Sequence, residues 1–436
     1  MSEWRVVPLG DLYSFRSGLS KPRSAFGSGY GFLSFKDVFY NYFVPEDLTE
    51  LVESTEHERE VCSVHRGDVF LTRTSETMEE LGMSCVALRD YPNATFNGFT
   101  KRLRPKKDHR IVPEYAAYYF RSPTFRRDVT AMSSLSTRAS LNNDMLERLT
   151  MLLPEVDEQE RIGCILKGLD DKIELSRRMN RTLEAIARAI FKSWFVDFDP
   201  VHAKADGREP VGMDPETAAL FPDSFQDSPL GKIPKGWEVA ALSEIADFVN
   251  GAACQKYPAE PGEPSLPVIK IRELGQGVSA QTDRARLDIP EKHRADDGDV
   301  LFSWSGTLLC KIWTGGPCFV NQHLFKVTSA NHPRWFFLRW INRHLEAFRE
   351  VAAGKATTMG HIKRSDLSEA RVLIPGSTLL GKMTQTLSPI VEKQIECQRE
   401  SRLLQLTRDA LLPKLLSGAL RIDERHLASE VYADEA

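Results

Sequence analysis

A chain of 436 residues, 42% hydrophobic and 27% charged, has the composition of a globular protein of two or three domains, which excludes a disordered or fibrous class. A formal net charge of −4 excludes a wholly basic nucleic-acid coat but leaves room for local basic faces, because binding depends on where Lys and Arg lie. The seven cysteines are scattered and include no C-x-x-C pair, which points to a reducing compartment rather than a disulfide framework or zinc site.

The opening MSEWRVVPLG has no apolar signal region and no run approaches a membrane span, so a cytoplasmic location is expected. In chain order, WRVVPLGDL (Trp4 to Leu12) leads to a small-residue turn at Ser17-Gly18. RGDVFL (Arg66 to Leu71) reads as a turn feeding an apolar strand, and Asn97 sits in FNGFTKRLRP. PEYAAYYF (Pro113 to Phe120) reads as a short aromatic helix, and Ser136-Thr137 precedes Leu141 and Leu146. LTMLLP (Leu149 to Pro154) is a strand closed by proline. From Asp157 to Phe195, apolar residues at Ile162, Leu166, Leu169, Ile173, Met179, Leu183, Ile186, Ile190 and Trp194 step by threes and fours, which predicts one long helix capped by Asp157. At about 1.5 Å per residue it would span on the order of 55 Å. Gly163 and Gly168 inside it each cost about 1 kcal/mol of helix propensity, so packing must hold those turns.

Residues Asp199 to Lys235, rich in Pro, Asp and Gly, read as an irregular connector. The same series then recurs. WEVAALSEI (Trp237 to Ile245) matches the opening stretch, and Asn250-Gly251 the small turn. DGDVLF (Asp297 to Phe302), Asn321 in VNQHLFKVTS, PRWFFLRW (Pro333 to Trp340), Thr357-Thr358 and ARVLIP (Ala370 to Pro375) follow in order. The offset drifts between roughly 220 and 233 positions, as duplication with loop insertions produces. A second long helix follows, with Met383, Leu387, Ile390, Gln394, Cys397, Ser401, Leu404, Arg408, Leu411 and Leu415 along one stripe. Its polar middle suits a two-helix seam. Each globular segment mixes short strands and helices, so the fold class is mixed α/β (α+β). The expected layout is a first globular domain over 1–155, a long helix over 156–196 and a connector over 197–232. A second domain over 233–376, a second long helix over 377–418 and a polar tail over 419–436 complete it.

Motifs for catalysis are missing. Gly27, Gly29 and Gly31 resemble a phosphate loop but lack a following helix and a Walker lysine. Asp197 and Asp199 read as a helix-exit turn rather than a metal site. The histidines show no metal-ligand spacing, and no nucleophile elbow occurs. Candidate DNA-binding residues are Lys21, Arg23, Arg73, Lys101, Arg102, Ser136, Thr137 and Arg138 in the first domain. In the second they are Lys256, Lys270, Arg272, Lys311, Lys355, Thr357, Thr358, Lys363 and Arg364. For any single charge a solvated surface position is the plainer account, and for the two aromatic runs core packing is. The small hydroxyl-rich loops Leu135 to Arg138 and Gly354 to Thr358, each before a helix, fit phosphate binding equally well. The residues alone also admit a protein-interaction scaffold or a degenerate nuclease.

Several stretches resemble the specificity subunits of type I restriction–modification systems: IPKGWEV (Ile233 to Val239), the two Gly-Asp-Val turns, LLPEVDEQERI, FKSWFVDFDPVHAKADGREPVG (Phe191 to Gly212) and RDALLPKLLSG (Arg408 to Gly418). The resemblance spans nearly the whole chain. It implies two target-recognition domains spaced by two helices in an antiparallel coiled coil, each domain reading half of a bipartite double-stranded DNA site. Implied partners are two methyltransferase subunits, docked on the exposed sides of residues 157–195 and 383–416, and translocase–endonuclease subunits. S-adenosylmethionine, ATP and magnesium would serve those partners, with no cofactor on this chain. The second helix departs from the family pattern at its start, where PGSTLLGKM replaces the acidic Glu-Gln form.

Overall fold

The computed structural model describes residues 4–74, 80–133, 140–354 and 360–421. The chain divides into two compact units: unit 1 takes Met1–Lys172 with Leu404–Ala436, and unit 2 takes Ile173–Leu403.

Unit 1 is built on a four-stranded antiparallel sheet, in the order Tyr13–Ser17, Thr100–Pro105, Val69–Thr72, Ser84–Val86. All four residues of Val69–Thr72 are buried, as a strand covered on both faces requires. A smaller sheet holds Phe26–Leu33 between Leu51–Val52, antiparallel, and Thr95–Phe96, parallel. The Gly27-to-Gly31 stretch is therefore strand. Arg5–Pro8 pairs antiparallel with Thr150–Leu153. The helix Pro113–Tyr119 starts at proline and buries Tyr115, Tyr118 and Tyr119, so these rings are core.

Unit 2 repeats the plan. Asp247–Asn250, Leu324–Thr328, Val300–Ser303 and Cys310–Ile312 stand in the same order. Glu238–Ala241 pairs with Arg371–Ile374 as the equivalent ribbon. Both Gly-Asp turns are built alike. Gly67 (φ 88°) and Gly298 (φ 98°) take the left-handed region that glycine tolerates best. The next side chain caps the turn: Asp68 accepts from His65 N–H and Asp299 from Asp296 N–H, both at 2.8 Å. A cation on the neighbouring strand then meets each carboxylate, Arg104 at 2.7 Å and Lys326 at 2.9 Å.

Two elements differ from expectation. The second aromatic helix runs over Arg334–Gly354, 21 residues, because its buried face continues to Phe348 and Ala352. The connector is ordered: helices Asp199–Ala205 and Pro215–Leu220 and the hairpin Phe225–Ser228 with Gly231–Pro234 occupy it. Val201, Phe221 and Ile233 anchor it in the unit 2 core, so it is part of that unit's packing.

The long helices are Val156–Phe195 and Ser377–Leu416, 40 residues each. Asp157 lies inside the first turn rather than at the cap. The entry is held by Gln159, whose buried side chain accepts from Val112 N–H and donates to Pro154 O, both at 2.9 Å. The apolar stripe also shifts: Met179 and Ile186 are exposed, while Ala187, Phe191 and Phe195 are buried. Phe191 packs against Trp340 and Phe195 against Trp237, and these rings turn a new helix face inward. Within unit 2 the two helices run antiparallel, since partner numbers fall as the chain rises. Ser176 bonds Glu400 (3.0 Å), Asn180 bonds Gln398 (3.3 Å) and Glu184 bonds Gln394 (3.0 Å). Among the described residues no helix is long and apolar enough to cross a membrane.

Candidate nucleic-acid interface

At one end of each unit, four elements converge through the same backbone bonds. The residue after the second core strand receives the N–H that leads into a short helix: Leu141 N–H reaches Arg73 O (2.9 Å) and Ile362 N–H reaches Trp304 O (3.0 Å). Isolated bridges repeat beside these bonds, Thr74 with Ser140 and Ser305 with His361. The glycine turns also match, Leu19 bridging Asn97 and Ala252 bridging Asn321. The two short helices, Asn143–Arg148 and Arg364–Glu369, hang on buried Leu146 and Leu367. Registers give the remaining equivalence. Leu71 faces Lys101 where Phe302 faces Phe325, and Ser17 faces Lys101 where Asn250 faces Phe325.

Four positions thus coincide between the units, and none keeps its residue: Ser17, Arg73, Lys101 and Asn143 in unit 1, Asn250, Trp304, Phe325 and Arg364 in unit 2. In unit 1 the group is cationic and polar. Lys101 is 9% exposed and donates to Asn143 Oδ1 at 2.7 Å. Arg73 donates to Ser17 Oγ at 3.2 Å. Burial, and after it the Arg73 charge, push the Lys101 pKa down. Neither cation forms an ion pair among the described residues. In unit 2 the group is an aromatic bed under one cation. Arg364 lies over Phe325 at 5.6 Å and donates to Phe248 O (3.0 Å) and Asn250 Oδ1 (3.4 Å). Trp304 lies at a tilt beside Phe325 and His323. Such groups offer donors, charge and flat faces, the chemistry of phosphate and base recognition.

The other basic candidates are placed differently. Lys21 pairs with Glu58 at 2.7 Å. Arg102 is buried, gives its guanidinium to Ser63 O at 2.6 Å and lies over Phe96. Its pKa is lowered by burial to about 10, and its work is to hold the 62–64 segment. Lys270 pairs with Asp283 and Arg272 with Glu273, while Lys311 donates to Gly275 O. These three gather around the helix Ile271–Gln276, with acids in attendance. Arg23, Lys256 and Lys363 are exposed. Ser136, Thr137, Arg138, Lys355, Thr357 and Thr358 lie outside the described residues. Asn143, Trp304 and Phe325 escape a search for charge. The shared spacing from Leu141 to Leu146 and from Ile362 to Leu367 is the signal that finds Asn143 opposite Arg364. Among the described residues no group of three or more His, Cys, Asp or Glu side chains is placed to hold a metal.

A family model described as the type I restriction modification DNA specificity domain matches residues 1–185 and again 234–408. The MjaIX type I specificity subunit of Methanocaldococcus jannaschii is 26% identical, over 97% of this chain and 94% of that protein. The HindI specificity subunit of Haemophilus influenzae is 24% identical, over 96% of this chain and all of that protein. The crystal structure of the type I S subunit from M. genitalium shares the fold, with a TM-score of 0.61 at 14% identity over 95% of this chain and 96% of that one.

Proposed function

The chain belongs to the type I restriction–modification DNA specificity family, and on that premise we propose that it reads DNA for a modification–restriction complex, each unit reading one half of a bipartite site. One observation carries this: an identical backbone frame presents different side chains at four equivalent positions. A scaffold kept constant under varied polar groups is what two different half-sites demand. Among the described residues Arg73 and Arg364 have no carboxylate partner, and phosphates or base edges would complete them.

In this reading the chain is the non-catalytic subunit, works in the cytoplasm and binds no cofactor. Two methyltransferase subunits would dock on the long helices, where Leu175, Met179, Ile186 and Leu403 are exposed and suit an apolar interface. Those partners would use S-adenosylmethionine to methylate adenine N6. The adenine must leave the duplex stack, and that cost falls on the partner's pocket. Translocase–endonuclease subunits would supply ATP- and magnesium-dependent cutting.

The test is co-expression with the neighbouring methyltransferase subunit, followed by genome-wide mapping of N6-methyladenine. A two-part motif with a fixed gap that vanishes without this chain is the expected result. An assembled, cofactor-bound complex that methylates nothing, and whose DNA affinity ignores salt, would point instead to a protein-interaction scaffold, since phosphate contacts make affinity fall steeply with salt.

A further inference from the structure

We propose that Asn143 in unit 1 and Arg364 in unit 2 are the equivalent base-reading side chains, held in reading orientation by Lys101 and Phe325 respectively. The inference rests on the function proposed above and names where each unit reads. Both residues are the first of their short helix and both are exposed. Both backbones are pinned two residues earlier, by Leu141 N–H on Arg73 O and Ile362 N–H on Trp304 O. Both are pinned again three residues later by a fully buried leucine. An exposed polar side chain on a backbone this restrained is what sequence discrimination needs, because a loosely held group accepts several bases.

The supporting strand residue acts from beneath in each unit. The Lys101 ammonium, 2.7 Å from Asn143 Oδ1, fixes which way the amide faces, since a flipped amide would set NH2 against NH3+. Lys101 is too enclosed to reach DNA itself and is a positioning residue. Phe325 supports the Arg364 guanidinium through its ring face, while Phe248 O and Asn250 hold one of its edges. An amide in fixed orientation matches the N6 and N7 edge of adenine, and a planar guanidinium matches O6 and N7 of guanine. The unit 1 half-site should therefore contain an A·T pair read by Asn143, and the unit 2 half-site a G·C pair read by Arg364.

The test is methylome mapping of the co-expressed complex carrying Asn143→Ala, Lys101→Met, Arg364→Ala or Arg364→Lys. Expected is a loss of discrimination of roughly ten- to hundredfold at one A·T position for the first two and at one G·C position, in the other half, for the last two. Arg364→Lys keeps charge and solubility but lacks the planar fork, so relaxation there separates reading from folding. A uniform drop in methylation over an unchanged motif would make these residues phosphate contacts or structural supports and overturn the inference. Relaxation by Asn143→Ala without Lys101→Met would overturn the positioning role. No bipartite motif with the wild-type chain would remove the functional reading itself, and the inference with it.

Discussion

Gly18 and Gly251 stand at the ends of equivalent strands, and their backbone shape is ordinary; what they need is space. A Cβ on Gly18 would lie 2.3 Å from the carbonyl oxygens of Phe96 and Asn97, and one on Gly251 would lie 2.3 and 2.2 Å from those of Val320 and Asn321. Backbone cannot retreat as a side chain can. Gly18→Ala and Gly251→Ala should each destabilise by about 3 kcal/mol, measured as a lower midpoint in urea unfolding. The two glycines of the first long helix divide by the same test. A Cβ at Gly163 meets Glu114 Cβ at 2.9 Å and Tyr115 N at 3.1 Å, whereas nothing lies within 4 Å of one at Gly168. Gly168→Ala should therefore stabilise by about 1 kcal/mol, and a fall in the same midpoint would contradict this account.

Between elements, one carboxylate on the first long helix ties three pieces together in each unit. In unit 1 the Tyr118 hydroxyl donates to Asp170 (2.7 Å), and Arg408 of the second long helix donates to the other oxygen (2.5 Å). In unit 2 Arg339 grips Glu184 through two bonds (2.6 and 2.7 Å) and Gln394 adds a third at 3.0 Å. Burial alone would raise the Glu184 pKa, but the Arg339 bonds and charge outweigh it and hold the carboxyl below its usual range. A lowered folded pKa contributes stability that is present above the unfolded value, about 4.3, and is lost as pH falls through the folded one. Glu184→Gln should remove that acid-side dependence from a melting profile taken between neutral and acid pH. At neutral pH it should cost roughly 2 kcal/mol, because Arg339, 5% exposed, would face a neutral amide. A profile that keeps the wild-type slope would show that another acid carries it.

At the scale of the whole molecule, a globular unit does not end where its contiguous sequence does. Leu412, Leu415 and Leu416, from the end of the second long helix, lie in one core with Leu9, Tyr115 and Ile162. An exchange of residues 1–155 should change only one half of the methylated motif, and it should do so with full yield when those leucines are exchanged alongside. Each long helix, at 40 residues, rises about 60 Å, against about 34–36 Å for one DNA turn. Removing matched whole turns from both helices should shorten the unread gap and leave both half-sites intact. A gap of unchanged length in the mapped motif would refute the ruler role.

Sequence alone determined what rests on local pattern. The duplication, the strands that bracket each Gly-Asp turn, the long helices and a two-helix seam with a polar middle follow from spacing that any neighbour-free reading registers, while the antiparallel sense of the seam came from the family resemblance. Buried Gln394 and Ser401 stand where that polar stretch was marked. What only the tertiary structure decided is which distant group answers each charge. Arg102 and Lys101 are adjacent, equally basic letters, yet strand alternation turns one guanidinium onto the Ser63 carbonyl and brings the other side chain under Asn143. The equivalence of Asn143 and Arg364 was obscured for a related reason: the offset between copies drifts along the chain. The matching spacing from Leu141 to Leu146 and from Ile362 to Leu367 points to it, and the hydrogen-bonded frame, which is indifferent to loop length, fixes the register.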